Sequence, residues 1–347
     1  MTKREWLRYT GDMAQVAGIR DCTLRGGKAE GIRALDFCNG SGLAFTVLPD
    51  RAMDIGALSY KGINGSYLSK TGPVAPSYYN EAGAGFLRGF YGGFLTTCGL
   101  SNVGTACEEN GKTYGTHGRI SHTPAEEVYS RCAWGEDGLY HLEAGGWMRE
   151  AVLFGENLVL ERKIGTVFGQ KGFVIRDRVE NRGFNEEPLM LLYHFNLGYP
   201  LLSGESYLVA PIARTLPRSE RAAEGLGSYT RFQAPEHGFS EQVYYHEMKG
   251  CADGRTFAAL INPALSLGIA IRFHPSQLPR MTQWKQMGEG EYVLGIEPCN
   301  CHVEGRVRER ELGTLEILKA GASRQVDIEI EILEGEAEIE ALKAEAI

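Results

Sequence analysis

Two side chains suited to proton transfer stand at the ends of apolar stretches more than a hundred positions apart. Leu189-Met190-Leu191-Leu192-Tyr193-His194-Phe195-Asn196-Leu197 reads as a strand that presents His194 and Asn196. Tyr292-Val293-Leu294-Gly295-Ile296-Glu297 does the same for Glu297. An imidazole has an ordinary pKa near 6.5, so modest neighbours poise it around neutrality. A carboxylate at the end of an apolar strand is poised upward by partial loss of water. Together they suit general acid–base chemistry, in which each positioned group contributes roughly 10²–10⁴-fold. A third candidate is His117, in Tyr114-Gly115-Thr116-His117-Gly118-Arg119, where small neighbours leave one side of the ring open.

Other chemistries fit less well. His117 and His122 are five apart, which misses the i, i+4 helical metal pair, and Gly118 and Pro124 oppose a helix there. Cys299, Cys301 and His302 invite a metal reading, but no second cysteine pair at the usual spacing completes four ligands. The Gly-rich segment around Gly85–Gly93 lacks phosphate-loop and dinucleotide spacing. Its Phe86, Arg88, Phe90 and Tyr91 among glycines instead suit a loop that lines a concave binding surface. Arg51 and Asp54 crowd charge into an apolar hairpin, either as a surface ion pair or with Arg51 reaching into a polar cavity. Trp284, in Gln283-Trp284-Lys285, is a packing residue or a stacking platform.

The elements that must position these groups are short strands. The 347 residues contain 45 glycines, spread along the chain as many tight turns require. Ala34–Cys38, a turn at Asn39-Gly40-Ser41-Gly42, and Leu43–Leu48 form a hairpin. Leu158–Ile164 and Phe173–Val179 flank another turn, and Gln242–His246, Phe257–Ile261 and Gly268–Phe273 continue as a meander. Ser203 to Gly238 is polar and reads as a long excursion. Val326, Ile328, Ile330 and Ile332 alternate with acidic residues, a half-buried strand. No βαβ rhythm and no linker appear, so the expectation is an all-β sandwich in one domain over 1–347. An N-terminal cap at about 1–23 and a short C-terminal helix at about 336–347 complete it.

The net charge of −8 argues against a nucleic-acid partner. No apolar run approaches the ~20 residues of a membrane span, and the first residues lack a signal-peptide core. Eight cysteines without a secretion signal read as reduced thiols. The expected setting is cytoplasmic, with oligomeric state open and a homodimer among the options.

These landmarks resemble the aldose 1-epimerase (galactose mutarotase) family. Pro188 to Leu197 is similar to its segment ending in His-x-Phe-Asn-Leu, His117-Gly118 to its first active-site histidine, and Gly295-Ile296-Glu297 to its catalytic-glutamate strand. The series runs in family order over roughly Ala34 to Leu333. Three departures mark a divergent branch: no Gly-Arg-x-x-Asn-Arg segment, Arg119 where a second glycine is usual, and Cys299-Asn300-Cys301-His302 after the glutamate. The resemblance implies a galactose mutarotase-like β-supersandwich and an isomerase that interconverts monosaccharide anomers with no metal or organic cofactor. It makes Glu297 the base on the anomeric hydroxyl and His194 the acid on the ring oxygen. His117 with Arg51 or Arg88, and Asn196 beside His194, would bind hydroxyls, while Trp284 or Tyr91 would stack on the sugar. The alternatives are a non-catalytic carbohydrate-binding protein and a different sugar isomerase or epimerase on this scaffold.

Overall fold

The alternation at Ser323–Glu334 places Val326, Ile328, Ile330 and Ile332 in the core and the intervening acidic residues toward solvent. Burying each such side chain stabilises the fold by roughly 1.5–3 kcal/mol. This strand sits inside an eight-stranded antiparallel sheet that covers one side of the core. The computed structural model describes residues 2–83 and 85–346. In spatial order the eight strands are Glu126–Trp134, Tyr140–Ala151, Asn157–Val167, Gly172–Asn181, Ser323–Glu334, Leu267–Phe273, Thr256–Asn262 and Tyr207–Val209.

Facing it is a seven-stranded sheet: Ile212–Pro217, Gln242–Met248, Arg280–Gly288, Glu291–Cys299, Glu187–Gly198 and Glu316–Leu318, with Leu95–Leu100 also paired to Glu187–Gly198. Leu142, Ile164, Ile175 and Ile328 of the first sheet share one core with Leu191, Phe195, Leu294 and Ile296 of the second. A five-stranded N-terminal sheet runs in chain order from Gly18–Thr23 to Ile63–Asn64. The architecture is the expected β-supersandwich.

Three expectations change. Gly18–Thr23 is already a strand, so the N-terminal cap is shorter than 1–23. The polar excursion contains strands Tyr207–Val209 and Ile212–Pro217 and a helix at Glu220–Glu224. The supposed meander is divided, because Gln242–Met248 joins one large sheet while Thr256–Asn262 and Leu267–Phe273 join the other. The C-terminal helix forms at Glu336–Glu345 and buries Ile339 and Leu342. No helix among the described residues is long and apolar enough to cross a membrane.

Strand Glu187–Gly198 is buried on both faces, which explains its near-continuous apolar sequence. Leu189, Leu191, Tyr193, Phe195 and Leu197 enter the core between the sheets. Met190 and Leu192 face the other way, into a smaller cluster with Phe86, Phe90, Val103, Val243, Cys299 and Val303. His194 shares that second face.

Further along the same sheet, on Gln242–Met248, His246 is buried between Thr215 Oγ1 (3.0 Å from Nδ1) and Gln283 Oε1 (2.9 Å from Nε2). Burial lowers its pKa to about 4, with the Gln283 contact opposing. The unfolded chain therefore takes up this proton near pH 6.5, while the folded one resists until about pH 4. Stability from this group is whole above pH 6.5 and lost as pH falls toward 4. His246→Gln is expected to flatten the acid loss by up to about 1.4 kcal/mol per pH unit in that window. Denaturant titrations at several pH values check it.

Candidate functional site

A cleft of about 480 Å³ opens on the outer face of the seven-stranded sheet. Thr282 pairs with Glu297 and Trp284 with Gly295 across adjacent antiparallel strands, so Thr282, Trp284 and Glu297 point to the same face. Val243, paired with Trp284, extends the floor one strand further. Phe86, Leu87 and Phe90 form one wall, and Gly104, Thr105, Ala106 and Val303 another. Thr116, His117, Arg218 and Glu241 complete the lining.

His194 Nε2 lies 3.3 Å from Glu297 Oε1, with both side chains almost wholly buried. The two are near but not aligned as a hydrogen bond. Glu297 Oε1 and His194 Nδ1 are both left without hydrogen-bond partners among the described residues. Buried polar atoms without partners are rare and costly, so these atoms need an explanation. Gly295 makes the close approach possible. A methyl group there would stand 2.6 Å from Glu297 Oε1, 2.9 Å from Trp284 Cβ and 3.3 Å from His194 Cε1.

His117 reaches the cleft from a left-handed position, φ 57°. Its backbone N–H donates to the Gly104 carbonyl at 3.0 Å, and the Gly104 N–H donates to its Nδ1 at 3.3 Å. An imidazole that accepts at Nδ1 while neutral carries its proton on Nε2, so His117 is a neutral donor. Gly104 must be glycine, since its φ is 80° and a Cβ would stand 2.0 Å from the Val303 carbonyl oxygen. The rings of Phe86 and His117 are 5.0 Å apart, those of Phe90 and His194 5.3 Å, and those of His194 and Trp284 5.5 Å.

Burial sets the charge state. It lowers His194 to about 3, aided by His117, and His117 to about 4, aided by Arg218. Burial raises Glu297 well above the usual carboxylate range, with Glu241 adding to this and Arg218 opposing. Burial thus favours the neutral form of both groups, with a proton on the Glu297 carboxyl rather than on His194.

Of the residues singled out in the sequence, the structure brings together His194, Glu297, His117 and Trp284. It separates the rest. Arg51 is buried elsewhere, donating to the carbonyls of Ser121 (2.5 Å), Val74 (2.7 Å) and Gly89 (3.3 Å), with His122 Nε2 at 3.2 Å. It is neither a surface ion pair nor a cleft residue. Tyr91 is buried under the Arg51 guanidinium, 4.8 Å from centroid to Cζ. Arg88 is exposed on the helix Gly85–Gly89, whose Phe86 and Leu87 face the cleft instead. Asn196 shares His194's side of the strand but spends its amide on the carbonyls of His194 (2.8 Å) and Gly92 (3.3 Å).

Thr282, Arg218 and Glu241 were missed. Thr282 was within reach, two residues before Trp284 on one strand face. Arg218 comes from the polar excursion and Glu241 from just beyond its end, where no local pattern marks them. Cys299 and Cys301 are buried in the apolar cluster, and His302 Nδ1 lies 3.3 Å from Glu309 Oε1. Among the described residues no group of three His, Cys, Asp or Glu side chains is arranged to hold a metal.

A family model described as a domain of unknown function (DUF4432) matches residues 29–332. The chain belongs to the DUF4432 family. No curated protein matches it. Among solved structures, one described as a "putative aldose 1-epimerase" from Klebsiella pneumoniae subsp. pneumoniae is similar at TM-score 0.90 and 28% identity, over 94% of this chain and 86% of that one. A galactose mutarotase-like protein from Clostridium acetobutylicum matches at TM-score 0.64 and 15% identity, over 92% and 99% of the two chains. The galactose 1-epimerase of Lactobacillus acidophilus NCFM matches at 0.59 and 12%, over 92% and 100%. This DUF4432 chain therefore has the galactose mutarotase-like fold.

Proposed function

We propose that the cleft binds a sugar and catalyses exchange between its anomers, with His194 and Glu297 as the acid–base pair. The observation that carries this reading is the buried approach of His194 Nε2 to Glu297 Oε1 at 3.3 Å on the cleft floor, with Oε1 left without a hydrogen-bond partner among the described residues. A sugar hydroxyl and ring oxygen would supply the missing partners.

In ring opening, one group takes the proton of the anomeric hydroxyl as the C1–O5 bond breaks, and the other gives its proton to O5. The free aldehyde turns about C1–C2, and closure runs the same transfers backwards. Such a cycle needs one proton shared by two groups, which is what burial leaves on this pair. Before substrate binds, burial favours that proton on Glu297. Glu297 therefore becomes the base on the anomeric hydroxyl only once substrate contacts shift that proton to His194. His117 would donate from Nε2 to a substrate oxygen, and Trp284 would stack on the sugar's apolar face.

Polarimetry with a panel of freshly dissolved single-anomer aldoses tests the reading. Acceleration over buffer for at least one sugar is expected, and none for any sugar that binds would overturn it. Gly295→Ala is expected to push the pair apart, and misplacement of reacting groups by about 1 Å costs on the order of 10²-fold. The same assay, with a thermal melt to verify folding, checks this.

Glycoside hydrolysis has one observation in its favour, a second cleft carboxylate in Glu241. Chromatography of glycosides incubated with the protein separates the two, since anomer exchange leaves every glycoside intact.

A further inference from the structure

The cleft does not end at Trp284. A second cavity of about 330 Å³, lined by Arg218, Ser219, Glu241, Val243 and Glu304, shares Arg218, Glu241 and Val243 with the first. The floor beneath them is one continuous sheet. From the Glu297 strand it passes through Arg280–Gly288 and Gln242–Met248 to Ile212–Pro217, whose end delivers Arg218. Three strand-to-strand steps of about 4.8 Å make this roughly 14 Å, longer than one pyranose ring.

The second cavity is equipped for hydroxyls. Arg218 is held by Nε on Glu304 Oε1 (3.0 Å) and by Nη2 on Thr105 Oγ1 (3.3 Å) and the Val303 carbonyl (3.5 Å). Arg218, Ser219 and Glu241 are exposed, so their remaining polar atoms are open to a ligand. Glu241 Oε2 accepts the Trp284 indole N–H at 2.6 Å. Ser219 Oγ accepts from the Ala222 N–H at 3.2 Å, which leaves its own proton to donate. A donor fork, a carboxylate acceptor and a hydroxyl thus meet beside the tryptophan that floors the first cavity. Glu304 offsets Arg218, and Glu241 adds one negative charge. Phosphorylated or acidic substituents are disfavoured there.

We infer that this annex is a second sugar subsite, so that the substrate is a neutral reducing disaccharide. Its reducing ring lies over His194 and Glu297, and its second ring lies between Trp284 and Ser219. The inference rests on the sugar-site reading above. It gives Glu241 a specificity-determining role, as the carboxylate among the three residues that line both cavities.

Calorimetry with maltose, cellobiose, lactose and melibiose against glucose, galactose and glucose 6-phosphate tests it. At least one disaccharide is expected to bind about tenfold or more tightly than either monosaccharide. Ser219→Trp, which fills the annex, is expected to reduce that advantage to about threefold or less. Glu241→Ala is expected to do the same, and it stands in if the tryptophan variant fails to fold. Equal or tighter binding of a monosaccharide or of the phosphate ester would overturn the inference, as would an advantage that survives the substitutions. Anomer exchange is read by NMR on the same samples. Its absence alongside an annex-dependent disaccharide advantage would sink the catalytic reading and leave the second subsite standing.

Discussion

Glu297→Gln is expected to lose about 10²–10⁴-fold in anomer exchange while folding as well as the parent chain. The two halves of that expectation have one cause. Burial favours the neutral form of the Glu297 carboxyl, and a glutamine amide of the same shape is neutral as well. The substitution removes a proton donor and acceptor without adding a buried charge, so the melting temperature stays level or rises. A variant that lost stability in step with activity would point to a structural carboxyl. The exchange rate and the melt, measured on one preparation, separate the two.

Arg162→Met is expected to have the largest effect on stability. Arg162 is fully buried between the two large sheets, donating from Nη2 to Asp177 Oδ2 at 2.6 Å and from Nη1 to Asp54 Oδ1 at 2.8 Å. Burial works against its charge, but Asp177 and then Asp54 outweigh that and raise its pKa. Thr97 donates to Asp54 from its backbone (2.9 Å) and its hydroxyl (2.6 Å), and the Tyr193 hydroxyl donates to Asp177 at 2.7 Å. The cluster thus ties the N-terminal sheet to both large sheets, one residue from His194. Taking one partner from a buried ionic group typically costs about 3–5 kcal/mol, because the remaining charges lose their compensation.

Its pH dependence has a definite sign. Burial already raises Asp54 to about 6, with Arg162 the strongest opposing pull, so removal of the guanidinium raises it further. A carboxyl whose folded pKa exceeds its unfolded one destabilises above the folded value. That penalty is relieved as pH falls toward the unfolded value near 3.9. Urea titrations are therefore expected to show the deficit of Arg162→Met shrinking on acidification from pH 7 to 4.

The candidate site was legible where one strand carries the whole signal. His194 and Glu297 each end an apolar run, and their strands lie side by side in the seven-stranded sheet, paired from Phe195↔Ile296 to Gly198↔Val293. The arginines were not legible, because a charged residue in an apolar hairpin looks the same whether it faces a ligand or buried carbonyls. Arg51 has Ser121, Val74 and Gly89 as acceptors, all distant in sequence. Arg162 and Asp177 fall on the inward register of their strands, in line with Leu160 and Ile164 and with Ile175 and Val179, but nothing local pairs them with each other or with Asp54. Arg218 and Glu241 reach the cleft only through the order of strands in the sheet, which no local pattern encodes. The two sheets were foreseeable from turn spacing, but the separation of Gln242–Met248 from Thr256–Asn262 was not, since both read as ordinary strands.

The most direct test of the account is NMR magnetisation exchange between the α and β anomers of a bound sugar, recorded with the parent chain and with Glu297→Gln side by side. The account predicts exchange well above the buffer rate for the parent chain and a return to near that rate for the variant. Equal exchange in the two samples, or none beyond buffer in either when the sugar is bound, would contradict it.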